Sequence, residues 1–452
     1  MKYFKVLLDL YRLKRNAGLS NQKMKALQDK KLRKLLRYAW ERSDFYRKSF
    51  EAAGITREQL EVLPLSCFPS IDKLVLLENF DQIVTCADLK QDDLRAFDAR
   101  EEVNRKPYLD RYHVVHSSGS TGKPGYFVYD EEAWHTMLLG IIRAALWKMS
   151  MPEIIRLITG RPRIAYIAAT DGRYAGAMAV GDGIDGIGAS QMYLDIKLPL
   201  AQWISQIREF RPNIIIGYPS AIKILAELVH KGTINVDVCR VISCGEPLGL
   251  GLRSYLEQVF GAPVINIYGA SESLSLGVET DAEEGMLLFD DMNVIEVENG
   301  VMYLTSLYNY AQPLIRYRLS DRLSLRAAEE NSACPFTRAV GLVGRNEDIL
   351  WFEDGDGNRE FLHPLAIEGF CIEGLKDYQF RQTSKEAFEM AAEISASASR
   401  EYIRESILEQ MKAILAEKNL HYVQFYVIFV DEVQPDLHTG KKQLILRTAL
   451  EE

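Results

Sequence analysis

The sequence predicts an α/β protein: a large N-terminal domain of parallel-rich sheets covered by helices, carrying a β-rich subdomain, and a small α+β C-terminal domain. Three observations predict it. Strand and helix signals alternate between about residues 164 and 268, closely spaced strands follow residue 287, and strand and helix signals resume in the last hundred residues.

In chain order, apolar residues Met24, Leu27, Leu32, Leu35, Leu36, Ala39 and Trp40 recur mostly at three- and four-residue steps. They predict a helical entry segment, with Gly54 a stop for the helical region behind it. A strand at 164–169 is followed by a helix at 202–210, a strand at 214–216 and a helix at 221–230. A strand at 240–243, a helix at 250–260 and a strand at 264–268 complete the alternation, which predicts a parallel sheet. Ligands of such sheets gather at the carboxyl ends of the strands. Next come strands at 294–298 and 301–305, joined by the hairpin signal Asn299-Gly300. The charged, glycine-bearing stretch at 353–358 introduces a final segment with a strand at 388–394, a helix at 401–418 and an apolar run at 422–430. A domain boundary is expected near Arg345, giving domains 1–344 and 345–452.

At 452 residues the chain exceeds the size of one compact core, and two domains imply a cleft between them. Hydrophobic residues at 47% and charged residues at 26% are ordinary for a globular protein. A net charge of -9 offers no general basic field to a nucleic acid. The six cysteines are scattered, without metal-site spacing or disulfide density, which fits a reducing cytoplasm. Lys5, Asp9 and Arg12 interrupt the apolar start before a signal-peptide core forms, and no run reaches membrane-spanning length. The expectation is a cytoplasmic protein with no integral membrane contact.

Four elements carry chemistry. The first is His116-Ser117-Ser118-Gly119-Ser120-Thr121-Gly122-Lys123-Pro124-Gly125. Its glycines let backbone N–H groups approach an anion, its hydroxyls can donate to phosphate oxygens, and Lys123 adds positive charge. It is not a Walker A loop, because Ser117 stands where that motif needs glycine and Pro124 where it needs Ser or Thr. A plain Ser/Gly surface linker would read the same way locally. The second is Tyr268-Gly269-Ala270-Ser271-Glu272 at a strand end. Its ring can stack on a base and its carboxylate can hold Mg2+ beside phosphates, although Tyr268 could be a core ring and Glu272 a solvated helix-start charge. The third, Pro313-Leu314-Ile315-Arg316-Tyr317-Arg318-Leu319-Ser320-Asp321, ends in a carboxylate able to accept both ribose hydroxyls or to serve in a turn. The fourth is Gly341-Leu342-Val343-Gly344-Arg345-Asn346-Glu347-Asp348-Ile349 at the boundary.

In this order the elements resemble the adenylate-forming superfamily of acyl-CoA synthetases, luciferases and peptide-synthetase adenylation domains. Within it, Ser-Ser-Gly-Ser-Thr-Gly-Lys-Pro, Gly245-Glu246-Pro247-Leu248 and Pro-Leu-Ile-Arg-Tyr-Arg resemble the phenylacetate-CoA ligase and coenzyme F390 synthetase branch, from about residue 30 to the C-terminus.

The resemblance implies ATP-dependent activation of a carboxylic acid, aryl or related, to an acyl adenylate with release of pyrophosphate. Acyl transfer would follow, to CoA as the leading acceptor. It implies that Ser117, Ser118, Gly119, Ser120, Thr121, Gly122 and Lys123 grip the ATP phosphates. Gly245, Glu246 and Pro247 would border the adenine, with Tyr268 and Gly269 against it. Ser271 would contact the α-phosphate, Glu272 and Thr121 would hold Mg2+, and Asp321 and Arg345 would bind the ribose. Tyr174, Tyr218 and Ala270 are candidate walls of the acyl pocket. A mobile C-terminal domain is implied, with Glu347 at a hinge position where the family carries Asp or Lys. Pro435-Asp436-Leu437-His438-Thr439-Gly440-Lys441-Lys442 resembles the loop that brings a lysine to the reacting groups. Lys441 is the expected catalytic residue and Lys442 the alternative. Such a cation offsets the charge gathering on the α-phosphoryl oxygens.

Rival readings are adenylation without a thioester, by nucleotidyl transfer or amide ligation, and a catalytically silent nucleotide-binding homologue. Intact Lys123, Glu272, Asp321, Arg345 and Lys441 argue against the silent one. A homodimer is compatible with every reading.

Overall fold

The computed structural model describes residues 2–98, 106–116, 125–168, 189–281, 285–319, 321–329, 332–343, 349–353, 357–362, 364–367, 370, 372–396, 398–433 and 444–446. Helices α1 (Lys2–Asn16), α2 (Asn21–Arg42) and α3 (Asp44–Ala52) open the chain. Ser20 and Ser43 accept the free backbone N–H groups of Lys23 and Tyr46, which fixes where α2 and α3 begin. The expected stop is real: Gly54 adopts φ +74, just beyond α3. The predicted α2 stripe buries Met24, Leu32, Leu35, Leu36 and Ala39 in the main core.

After α4 (Lys73–Ile83) and α5 (Gln91–Asp98), strands β1 (Tyr112–His116) and β2 (Tyr126–Asp130) pair antiparallel, with His116 opposite Tyr126. The hydroxyl-rich segment therefore joins the two strands of a hairpin. Helices α6 (Glu131–Ala145) and α7 (Met151–Thr159) lead into the main sheet.

Strands β3 (Arg163–Ala168), β4 (Ser190–Asp195), β5 (Ile214–Gly217), β6 (Arg240–Cys244) and β7 (Val264–Ala270) pair in parallel. Helices α8 (Leu200–Phe210), α9 (Pro219–His230) and α10 (Leu250–Phe260) cover one face, where Trp203, Ile207, Ile222, Leu225 and Leu256 pack on Ile167, Ile215 and Val241. The alternation read from sequence is thus the observed one, except that it omitted β4.

The sheet then changes sense. β8 (Ser273–Glu279) and β9 (Met286–Leu288) add antiparallel. β10 (Asn293–Glu298), β11 (Val301–Ser306) and β12 (Tyr317–Leu319) form a separate three-stranded sheet. Its first turn has Asn299 at φ 53 and Gly300 at φ 76, the left-handed pair that an Asn-Gly hairpin turn requires. β13 (Arg322–Arg326) and β14 (Arg338–Val343) return to β9, completing nine strands in the order β13-β14-β9-β8-β7-β6-β5-β3-β4. The β-rich region after 287 therefore divides between two sheets. Edge pairing over long range decides that division, and local periodicity carries no trace of it.

β15 (Leu350–Glu353) and β16 (Arg359–Leu362) form a hairpin, followed by α11 (Pro364–Ile367), β17 (Leu375–Ser384), β18 (Ala387–Ile394), α12 (Arg400–Glu417), β19 (Gln424–Val430) and β20 (Ile445–Leu446). The order β19-β18-β17-β20, with α12 packed on it, has its own core of Phe380, Phe388, Met390, Ile403, Ile407 and Met411. A large mixed α/β domain and a smaller α+β subdomain are the result. Among the described residues, no helix is long and apolar enough to cross a membrane.

Candidate functional site

The carboxyl edge of the parallel strands gathers the chemistry. β7 runs into β8 through a tight turn holding Ser271 and Glu272, so Glu272 sits in a strand hairpin and not at a helix start. Gly269 is required there, because a Cβ would stand 2.5 Å from the Leu274 carbonyl oxygen. The Tyr129 hydroxyl donates to the Ser271 carbonyl at 2.9 Å, and Ser271 Oγ donates to the His116 carbonyl at 3.5 Å. The His116–Tyr126 end of the β1–β2 hairpin, where the hydroxyl-rich segment begins, thus meets the Ser271 turn.

Tyr268 is buried, and its hydroxyl donates to Asp321 Oδ2 at 3.2 Å. The second and third elements therefore meet, although 53 residues separate these two side chains in sequence. Glu272 keeps limited exposure, yet desolvation pushes its pKa up to about 7. The Asp321 charge pushes in the same direction. Hydrogen bonds from its own backbone N–H and from the Tyr317 hydroxyl, and the Lys73 charge, offset part of this. On balance these surroundings disfavour the charged carboxylate. The donor set fits Mg2+, which usually takes one or two protein carboxylates and completes its shell with water and phosphate. No group of three or more His, Cys, Asp or Glu able to hold a metal occurs among the described residues.

At the end of β6, Gly245 has φ +83, and a Cβ there would stand 2.7 Å from the Tyr218 ring. Glu246 Oε2 accepts the Ser220 backbone N–H at 3.2 Å, tying the Gly245-Glu246-Pro247 turn to the first turn of α9. Beside it lies an aromatic wall. The Tyr166 and Tyr193 rings meet edge-on at 6.0 Å, and Ile216 and Tyr218 pack with them. Burial, then the Glu246 charge, push the Cys244 thiol up to about 12, so it stays protonated.

Several expected residues lie outside the described ones: Ser117 to Lys123, Tyr174, Arg345, Lys441 and Lys442. Three side chains around the site had no assigned role in the sequence reading. Tyr317 stood in a quoted motif without a role, while Tyr129 and Lys73 lie in segments without a local signature. Ile71 bridges Tyr317 in parallel, and this pairing brings the start of α4 to the site.

No family model matches the chain. It is 27% identical over 358 residues to the phenylacetate-coenzyme A ligase of Aromatoleum evansii, covering 73% of this chain and 72% of that one. To the phenylacetate-coenzyme A ligase of Thermus thermophilus it is 25% identical over 433 residues, covering 89% and 88%. Among solved structures it resembles a 2-hydroxyisobutyryl-CoA ligase in complex with 2-HIB-AMP and CoA in the thioesterification state. That likeness has a TM-score of 0.60 at 20% identity and covers 95% of this chain and 91% of that one. The same ligase has also been solved in an open conformation and in a postadenylation state. In fold and in sequence the chain resembles the adenylate-forming superfamily.

Proposed function

We propose that this protein uses ATP to convert a carboxylic acid to an acyl adenylate and pyrophosphate, then transfers the acyl group to CoA. The observation that carries the reading is the convergence of Ser271, Glu272, Asp321 and the root of the hydroxyl-rich hairpin at one sheet edge. Such an arrangement gives a triphosphate hydroxyl donors and a cation site, and gives a ribose a carboxylate already oriented by Tyr268. Mg2+ held by Glu272 would neutralise phosphate charge. Ser117 to Lys123 would grip the phosphates, Thr121 would join Glu272 at the metal, and Gly245 to Pro247 with Tyr268 and Gly269 would frame the adenine. Arg345 would join Asp321 at the ribose. Ala270, Tyr174, Tyr218 and the Tyr166 wall would face the acyl chain, and aryl acids are the first class to test. Relatives named phenylacetate-coenzyme A ligase support that choice. Residues 345–452 would reorient between half-reactions and bring Lys441 to the reacting carboxylate.

Pyrophosphate exchange tests the first half-reaction. Labelled pyrophosphate should enter ATP only with Mg2+ and a suitable acid, and addition of CoA should then yield a thioester. Exchange without thioester formation would move the acceptor to an amine or a nucleotidyl product. No exchange across aryl and aliphatic acids, with ATP still bound, would leave a nucleotide-binding homologue.

A further inference from the structure

The β15–β16 hairpin faces two ways. Leu350, Phe352 and Leu362 belong to the C-terminal core, whereas Phe361 belongs to the α8–α9 core of the large domain, edge-on to Trp203 at 5.2 Å. At this seam lies a buried ion pair. Glu360 is 2% exposed, and its Oε2 accepts the backbone N–H of Leu200, the first residue of α8, at 2.6 Å. Its other oxygen accepts from Lys418 Nζ at 3.3 Å and from the Phe361 N–H at 2.9 Å. Lys418, 0% exposed and just beyond α12, also donates to the Leu198 carbonyl at 2.7 Å and lies 3.8 Å from the Phe361 ring centroid. Arg359 adds an outer contact, reaching Glu227 on α9 at 2.9 Å.

Both charged partners come from the C-terminal unit, and each closes on a backbone atom of the large domain. The carboxylate supplies the cap that α8 lacks, since Pro199 in the N-cap position makes no side-chain cap. On undocking, the pair would travel together and regain water, while the first turn of α8 would lose its acceptor. Desolvating an ion pair against two cross-seam hydrogen bonds is a near-balanced exchange, the energetic condition for a contact that opens reversibly.

We propose that Glu360 and Lys418 form a latch holding the C-terminal unit on α8, whose release is a step in any rearrangement of that unit. Its consequence for catalysis rests on the function proposed above; the latch itself does not.

Hydrogen exchange read by mass spectrometry on the full chain tests the contact. In Glu360→Gln and in Lys418→Met, amides of 200–203 and of 357–362 should exchange about tenfold faster together, with the nine-stranded sheet unchanged. Should a single variant fail to fold, the paired change Glu360→Met with Lys418→Met removes the charges without stranding one, and the same result is expected. The ratio of pyrophosphate exchange to transfer from a supplied acyl adenylate should also change by about fivefold or more. Faster exchange at 200–203 alone, meaning a lost cap without undocking, would overturn the latch, as would no change at either segment. A wild-type protein inactive in both half-reactions would sink the proposed function, yet the exchange pattern would still decide the latch.

Discussion

Asp291 and Glu272 are two carboxylates shielded from water in the large domain, and their surroundings push them in opposite directions. Asp291 lies in the turn between β9 and β10, 0% exposed. It accepts both guanidinium arms of the equally buried Arg143, at 2.8 and 3.0 Å, and the Asn16 amide at 2.8 Å. Burial works to raise its pKa, but Arg143, Asn16 and the Lys31 charge outweigh it, and the pKa falls below the ordinary carboxylate value. Glu272 faces Asp321, and burial and that charge raise its pKa to about 7, outweighing its hydrogen bonds and the Lys73 charge. Asp291 is satisfied by the fold itself. The surroundings of Glu272 disfavour its charged form.

The sharpest way to break this contrast is to neutralise each carboxylate. Asp291→Asn strands Arg143 in the core and should cost about 3–5 kcal/mol of stability, read by urea denaturation. Because the folded pKa is depressed, the Asp291 contribution is present above the unfolded value near 3.8 and is lost as pH falls through the lower folded value. Flat stability between wild type and variant at pH 7 would mean that the pair is not structural.

Glu272→Gln should do the reverse. Mg2+-dependent turnover should drop on the order of a hundredfold, the scale of losing one electrostatic contributor at a reacting centre. Ligand-free stability at pH 8 should hold or rise, by on the order of 2 kcal/mol once its partial solvent access is allowed for. Here the folded pKa is raised from 4.5 to about 7, so stability contributed by the protonated form is present below 4.5 and lost as pH climbs through 7. The gain should therefore vanish near pH 4. A variant destabilised at pH 8 as much as Asp291→Asn would place Glu272 with the structural pairs.

Gly245→Ala probes the same edge at smaller scale. Its φ of +83 and the 2.7 Å approach to Tyr218 make any side chain strained, at about 1–2 kcal/mol. Adding Tyr218→Ala should relieve the steric part and leave the backbone part, as a double-mutant cycle would show. Full additivity would mean that the ring and the turn do not press on each other.

The same contrast explains what was legible in the sequence. Elements with local causes could be read: the α2 stripe, the Asn299-Gly300 turn and the strand-helix alternation ending at Tyr268 all follow from spacing within a few residues. Glu272 and Asp321 could be nominated because each ends a short motif beside a strand. Their coupling through Tyr268, and the hydrogen bond from Tyr317, depend on pairings across 53 and 45 residues that no window reveals. Arg143–Asp291 was invisible for that reason too, since 148 residues separate the partners. The Glu360–Lys418 seam joins the end of a helix that sequence placed to the β15–β16 hairpin, which it did not predict.

The smallest effect concerns Tyr317, which is 2% exposed and donates a hydrogen bond to Glu272. That bond favours the ionised carboxylate and opposes the larger upward pushes from burial and Asp321. Tyr317→Phe keeps the ring that packs near Phe127 and removes only the hydroxyl. The Glu272 pKa should then rise above about 7 in the free protein, because one hydrogen bond to the charged form is gone. If the ionised carboxylate receives Mg2+, the acid limb of kcat/KM should move to higher pH, since that parameter reports groups of the free enzyme. Activity well above the limb should approach wild type, and raising Mg2+ should draw the limb back by mass action. An unmoved limb with a uniform fall at every pH would assign Tyr317 to packing. A shift towards lower pH would mean that the hydroxyl accepts from a protonated Glu272, so that the site is built around the neutral acid and not around a cation.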